Sequence, residues 1–251
     1  MQFQLEFLLR YKNEGVYYVM PTFRGEDHDE RHLNQFFHSE SEIQGDLEKV
    51  MSVIEEYVVY LTKNIFEKFK DELVQFTGPD LSHIKKLIKK DYKIPRILFE
   101  DAFKILGDKE EYYSYLPGNI RCISSKGEKR LMELNDGIVW IINPSHEVVP
   151  FYQAYTEDKR YAKAADLCMG IGETVGCGER HFNEEEVLEA LKKHHVLPEE
   201  YAWYLRMKKE FPMKTSGFGM GIERYLAFIT KKTDIRDMAI FPRLKGMTHA
   251  P

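Results

Sequence analysis

Cysteine is scarce in this 251-residue chain: Cys122, Cys168 and Cys177 form no CxxC pair, and their odd number does not make a disulfide framework. Each reads as a reduced, buried thiol. Long apolar runs are missing as well. The strongest, around Val139–Ile142 and Tyr57–Leu61, are core-sized and fall far short of the roughly 18 residues that cross a bilayer. The first ten residues carry Glu6 inside their apolar stretch and have neither a basic leader nor a small-residue cleavage site. We therefore expect no secretory signal, no membrane contact and a cytoplasmic location. Excess positive charge is absent too: 36 Lys and Arg against 41 Asp and Glu give a net charge of −5, which excludes coating of nucleic acid by overall basicity and leaves only a local basic groove. There is no internal repeat and no low-complexity tract. What is present is 43% hydrophobic and 31% charged, enough for one substantial core.

Alternation over Val16–Glu26 and Asn34–Glu42, around a polar turn, predicts a long β-hairpin. Its period of two puts Arg24 with Glu26 on one side of the first arm, and Phe36, His38, Glu40 and Glu42 on one side of the second. Apolar residues at three- and four-residue steps from Ile43 to Leu73 predict one long helix broken by Gly78-Pro79-Asp80, with a short lysine-faced helix over His83–Lys93. Two β-like runs fall in residues 136–155. Further strands with a tight bend fall in residues 162–176. Asn183 and Pro198 mark two helix starts, and SGFGMG at Ser216–Gly221 leads into a helix with Ile222, Leu226 and Ile229 inward. Strands mixed with long helices, without regular βαβ alternation, predict an α+β fold on a mostly antiparallel sheet flanked by helices.

Three groups of residues could carry chemistry. An arginine on a rigid strand presents a planar donor fork, and Arg24, joined by Arg31 and His32 from the turn, suits a phosphate or carboxylate; a mixed-charge surface hairpin would look the same. Asp166 and Glu173, bracketed by glycines, offer two hard oxygen donors for a divalent ion or are plain loop acids. Arg180 closes the GCGER run and could bind a substrate carboxylate or amide oxygen. In GFGMGIER, Gly217, Gly219 and Gly221 permit close backbone approach, and Arg224 could stack on a base or neutralise phosphate. The histidines show no metal-ligand spacing.

In order, FRGED, RHLNQF, DLCMGIGE, GCGER, GFGMGIER and IRDMAIFPR resemble the catalytic core of class II aminoacyl-tRNA synthetases, closest to the asparaginyl branch of the aspartyl/asparaginyl group. The resemblance runs from Gln2 to Arg243. It implies ATP and Mg²⁺ as cofactors, with Arg24 on the α-phosphate, Arg31 and His32 on the outer phosphates, Phe36 and Glu26 at adenine, Gly221 and Arg224 on the nucleotide, and Asp166 and Glu173 on the metal. Arg24 and Arg224 would be the catalytic pair. At the amino-acid end it implies Gln2, Glu6, Glu40 and Arg180. Leu5 stands where the aspartyl branch has lysine, and Gln35 where glutamate is usual. The resemblance implies one catalytic domain over residues 1–251, with the OB-type anticodon-binding domain and the first, dimer-forming motif of the family absent. The expected function is ATP-dependent activation of aspartate, asparagine or a relative, with asparagine-synthetase-like amidation as one version. A minimal asparagine–tRNA ligase and a non-catalytic binding module are the alternatives. The expected partners are an amino acid as small-molecule substrate and a second copy of the chain, with tRNA a possible further one.

Overall fold

The computed structural model describes residues 2–11 and 14–247. Helix α1 (Gln2–Leu9) precedes the predicted hairpin, β1 (Gly15–Phe23) and β2 (Gln35–Gln44), whose arms pair antiparallel with Tyr18 opposite Glu40. The predicted long helix is two: α2 (Leu47–Lys68) and α3 (Lys70–Thr77), separated at Phe69, while Ile43 belongs to β2. Asp46 caps α2 by accepting from Lys49 N, and Gly78 ends α3 at φ 77°, a conformation that favours glycine. The lysine-faced helix is confined to α4 (Ser82–Leu87).

Residues 94–135 carry no sequence prediction. They form β3 (Arg96–Leu98), α5 (Phe99–Leu106), the small hairpin of β4 (Tyr113–Leu116) and β5 (Ile120–Ile123), and α6 (Ser125–Leu134). Strand β6 (Ile138–Ile142) follows, but the second run expected before residue 155 is no strand. It holds a 3₁₀ turn at His146–Val148 and isolated bridges, one of them between Gln153 and Arg180. The chain ends in β7 (Ala164–Met169), β8 (Gly172–Glu179), α7 (Glu184–Lys193), α8 (Ala202–Glu210), β9 (Thr215–Gly221) and α9 (Ile222–Thr230). In α9 the inward residues are Tyr225, Phe228 and Ile229, whereas Ile222 and Leu226 are half-buried.

The main sheet has the order β1-β2-β9-β8-β7-β6-β3 and is antiparallel except where β3 runs parallel to β6. This is the predicted α+β class. One face carries the largest core, where Val50, Met51 and Ile54 of α2 and Phe228 of α9 pack on Trp140, Leu167, Val175, Phe218 and Met220. The period of two then decides the other face. In β9, Phe218 and Met220 enter the core, so Gly217, Gly219 and Gly221 point the opposite way and leave that surface hollow. Facing them across β2 are Glu42, Glu40 and His38, paired with Gly217, Gly219 and Gly221 in that order.

Candidate active site

The hollow face holds a cleft of about 640 Å³. It is lined by Arg24, Glu26, Arg31, His32, Phe36, Gly221 and Arg224 from the hairpin and the β9–α9 junction, by Asp166 and Glu173 from β7 and β8, and by Gln2, Glu40 and Arg180. Every site residue predicted from sequence lines it except Glu6.

At one end, Arg24 and Glu26 lie just past β1, half-exposed and 3.5 Å apart. Asn34 Nδ2 donates to the carbonyls of both (3.1 and 2.6 Å) and so shapes the turn. The Arg24 guanidinium sits 5.4 Å from the Phe36 ring centroid, and Phe36 rests on buried Leu33 and Ile235. His32 Nδ1 lies 2.8 Å from Asp29. Arg31 pairs with Glu128 of α6, and Arg224 donates to the carbonyls of Glu173 and of Arg31, the latter at 3.3 Å. The guanidinium of Arg224 thus joins the hairpin turn to the β7–β8 bend.

The acids Asp166 and Glu173 reach the same face through a β-bulge. Leu167 pairs with Val175 and Cys168 with Glu173, so Thr174 is the extra residue. Were Thr174 instead a regular member of the ladder, the alternation from Val175 would carry Glu173 to the core face. A Cβ on Gly176 would lie 2.9 Å from Glu173 Oε1 and 3.5 Å from Asp166 Oδ1, which shows both carboxylates leaning over that glycine. Burial, then Glu173 and Glu128, push the Asp166 carboxyl well above its ordinary pKa. Among the described residues no cluster of three or more His, Cys, Asp or Glu could hold a metal by itself. Arg224 Nη1 lies 3.9 Å from Glu173 Oε2, and these two hard carboxylates fit a Mg²⁺ whose remaining ligands come from phosphate and water.

At the other end, Glu40 accepts from the Tyr18 hydroxyl and faces His38 Nδ1 at 2.8 Å. Burial would raise its pKa, but these hydrogen bonds outweigh it and keep the carboxyl below its ordinary value. Arg180 is 3% exposed. Its Nε and Nη2 donate to Glu42 Oε1 at 3.1 and 2.5 Å, and its Nη1 donates to Gln153 Oε1 at 2.7 Å. Glu42 is fully buried, and burial pushes its pKa up to about 7 although Arg180 pulls the other way. With Glu42 ionised, the Arg180–Glu42 pair itself carries no net charge.

Glu6 belongs elsewhere. It is 1% exposed and bound by Lys208 (2.5 Å), Tyr204 (2.8 Å), Thr215 (3.0 Å) and Arg10 (3.3 Å), so it ties α1 to α8 and β9. Burial would raise its pKa, yet Lys208 and Arg10 hold it below the ordinary value. The residues that sequence reasoning missed are Gln153, Glu128 and Glu223. Glu223 lines the cleft and accepts from Phe37 N with both oxygens at 3.0 Å. It lies inside GFGMGIER and was legible there; Glu128 and Gln153 sit in stretches without a motif.

A cation-lined end, a carboxylate pair and a polar end share one cleft over an antiparallel sheet, the arrangement expected of a class II aminoacyl-tRNA synthetase catalytic domain. The family described as tRNA synthetases class II (D, K and N) matches residues 1–245, and the chain belongs to it. The asparagine–tRNA ligase of Acholeplasma laidlawii is 31% identical over 237 residues, which cover 91% of this chain and 51% of that protein. That of Pyrococcus abyssi is 31% identical over 235 residues, 92% of this chain and 52% of that protein. The crystal structure of Pyrococcus horikoshii asparaginyl-tRNA synthetase complexed with asparaginyl-adenylate superposes with a TM-score of 0.88 at 29% identity, over 99% of this chain and 56% of that one. The chain spans about half the length of the curated relatives it matches.

Proposed function

We propose that residues 1–251 act as one catalytic domain that condenses asparagine with ATP to asparaginyl-adenylate and pyrophosphate. One observation carries the reading: a single cleft joins Arg24, Arg31, Phe36 and Arg224 to Glu40 and Arg180 through Asp166 and Glu173. The α-carboxylate of the amino acid attacks the α-phosphorus in line, a step that needs positioning and charge neutralisation more than a general base. Arg24 takes the α-phosphate, Arg31 and His32 the outer phosphates, and Phe36 stacks under adenine with Glu26 and the Gly221 backbone at its edge. Arg224 covers the other adenine face or the γ-phosphate. Mg²⁺ held by Asp166 and Glu173 would neutralise charge on the triphosphate oxygens. The ionised Glu40 receives the α-ammonium group, with Gln2 beside it.

Asparagine is favoured over aspartate because Glu42 already neutralises Arg180. A second negative charge there would meet a spent cation, whereas a carboxamide accepts a hydrogen bond without adding charge. The relatives' names extend the reading to tRNA as acceptor, and we add a homodimer and a cytoplasmic location as expectations. No helix among the described residues is long and apolar enough to cross a membrane.

The test is amino-acid-dependent ATP–pyrophosphate exchange on the purified chain with Mg²⁺, run with every standard amino acid. Exchange with asparagine and little with aspartate is expected. Exchange with none, while ATP still binds by calorimetry, overturns the reading in favour of a binding module. Formation of asparagine and AMP from aspartate, ammonia and ATP would replace it with amidation.

A further inference from the structure

Gln153 stands on the cleft wall beside Arg180, 8% exposed, and its orientation is set from three sides. Arg180 Nη1 donates to its Oε1 at 2.7 Å. A guanidinium accepts no hydrogen bond, so the amide oxygen must face Arg180 and the amide cannot be flipped. Behind it, the Gln153 carbonyl lies 2.7 Å from His146 Nε2, which must therefore carry the proton. The other nitrogen of this fully buried ring, Nδ1, is then an acceptor for His194 Nε2–H at 2.8 Å, and the Tyr155 ring stacks on His146 with centroids 3.8 Å apart. Across the strand, Gly178 makes room: a Cβ there would fall 2.0 Å from Gln153 Oε1.

This bracing leaves one group over. Among the described residues the Gln153 side-chain NH₂ has no hydrogen-bond partner, and it is not sealed from solvent. It is a fixed donor on the wall of the cleft. Arg180 has spent Nε and one N–H of Nη2 on Glu42 and one of Nη1 on Gln153, which leaves one N–H on each terminal nitrogen.

We propose that Gln153 is a specificity-determining residue whose side-chain NH₂ donates to the side-chain oxygen of the amino-acid substrate, next to the remaining N–H groups of Arg180. The inference rests on the activity proposed above and adds to it the group that reads the carboxamide. A site built to hydrogen-bond a substrate oxygen discriminates strongly, because its own polar groups are left unpaired when that oxygen is missing.

Two substitutions separate substrate reading from bracing. Gln153→Met keeps the volume and removes both amide functions; Gln153→Glu keeps an acceptor for Arg180 Nη1 and removes the donor. Calorimetric titration of the full chain with asparagine, and the asparagine and ATP KM values in exchange, are the readouts. Both variants are expected to weaken asparagine by about tenfold or more while the ATP KM stays within about twofold. Wild-type affinity for asparagine in Gln153→Glu with a defective Gln153→Met would reduce Gln153 to a brace for Arg180 and overturn the proposal. So would unchanged affinity in both, or an ATP KM that rises in step. Because binding is read separately, a wild type that binds asparagine without exchange refutes the activity and still tests Gln153. A wild type that binds no asparagine overturns the role of Gln153 as well.

Discussion

Replacing Glu42 by glutamine should turn the amino-acid end of the cleft from asparagine toward aspartate. Glu42 is 0% exposed and Arg180 3%, so no water screens the pair. Glutamine keeps the shape and the carbonyl acceptor for Arg180 Nε and Nη2 but deletes the counter-charge. Because the ionised form of Glu42 costs stability, glutamine, which mimics the protonated carboxyl, should not destabilise the ligand-free chain. A bound aspartate would supply the missing charge. Charged hydrogen bonds contribute ~1.5–3 kcal/mol against ~0.5–1.5 for neutral ones, a difference of about 1–2 kcal/mol, or about five- to thirtyfold in the aspartate-to-asparagine ratio of kcat/KM. The assay is pyrophosphate exchange with both amino acids, paired with urea denaturation with and without saturating aspartate, which should stabilise the variant more than the wild type. The wild type carries its own control. Because burial raises Glu42 from 4.5 to about 7, its ionised form costs stability as pH rises through that window, and protonation on lowering pH unmasks Arg180. Wild-type preference should then drift toward aspartate below about pH 7, while Glu42→Gln stays flat. A ratio that does not move in the variant refutes the argument that Glu42 sets the charge of this end.

Three further outcomes follow from the same geometry. Arg24→Ala should leave stability within about 0.5 kcal/mol, since the side chain is half-exposed, and lower exchange by about a hundredfold or more; a matching loss of melting temperature would contradict its role as a phosphate ligand. Glu6→Ala strands Lys208, 0% exposed, and should cost about 3–5 kcal/mol in urea denaturation. Since the Glu6 carboxyl is held below 4.5, its contribution is present above that pH and disappears as pH falls through the folded value, so the variant and wild type should converge in acid. Asp166→Asn relieves the crowding with Glu173 and Glu128 and should raise the melting temperature of the ligand-free chain while abolishing Mg²⁺-dependent exchange; a destabilised variant would show that Asp166 serves the fold instead.

Much of the scaffold was legible because it is written in local periods. The alternation of Val16–Glu26 and Asn34–Glu42 became β1 and β2, the Asn183 cap opened α7, and SGFGMG became β9 feeding α9. Local reading overshot where a helical period continued through a break, as at Phe69, and where an apolar run was held by isolated bridges rather than a ladder, as before Tyr155. It was silent on residues 94–135, whose short strands and helices carry too few periods to register. Arg24, Arg31, Phe36, Asp166, Glu173, Arg180 and Arg224 were legible as an ordered set of motifs. That they share one cleft was legible only as what the resemblance implies, since no local period brings them together.

From residue order alone came the α+β class, the hairpin, the glycine-spaced strand and the identities of the cations and acids. Only the tertiary structure decided which of them meet. The bulge at Thr174 carries Glu173 to the face of Asp166, and the register of β2 against β9 sets three glycines opposite His38, Glu40 and Glu42. The same packing turned Glu6 into a buried partner of Lys208 and brought Gln153 to Arg180. A side chain's type is a property of its position in the chain, but its charge state, its partners and the donors it has left depend on groups brought to it from distant segments.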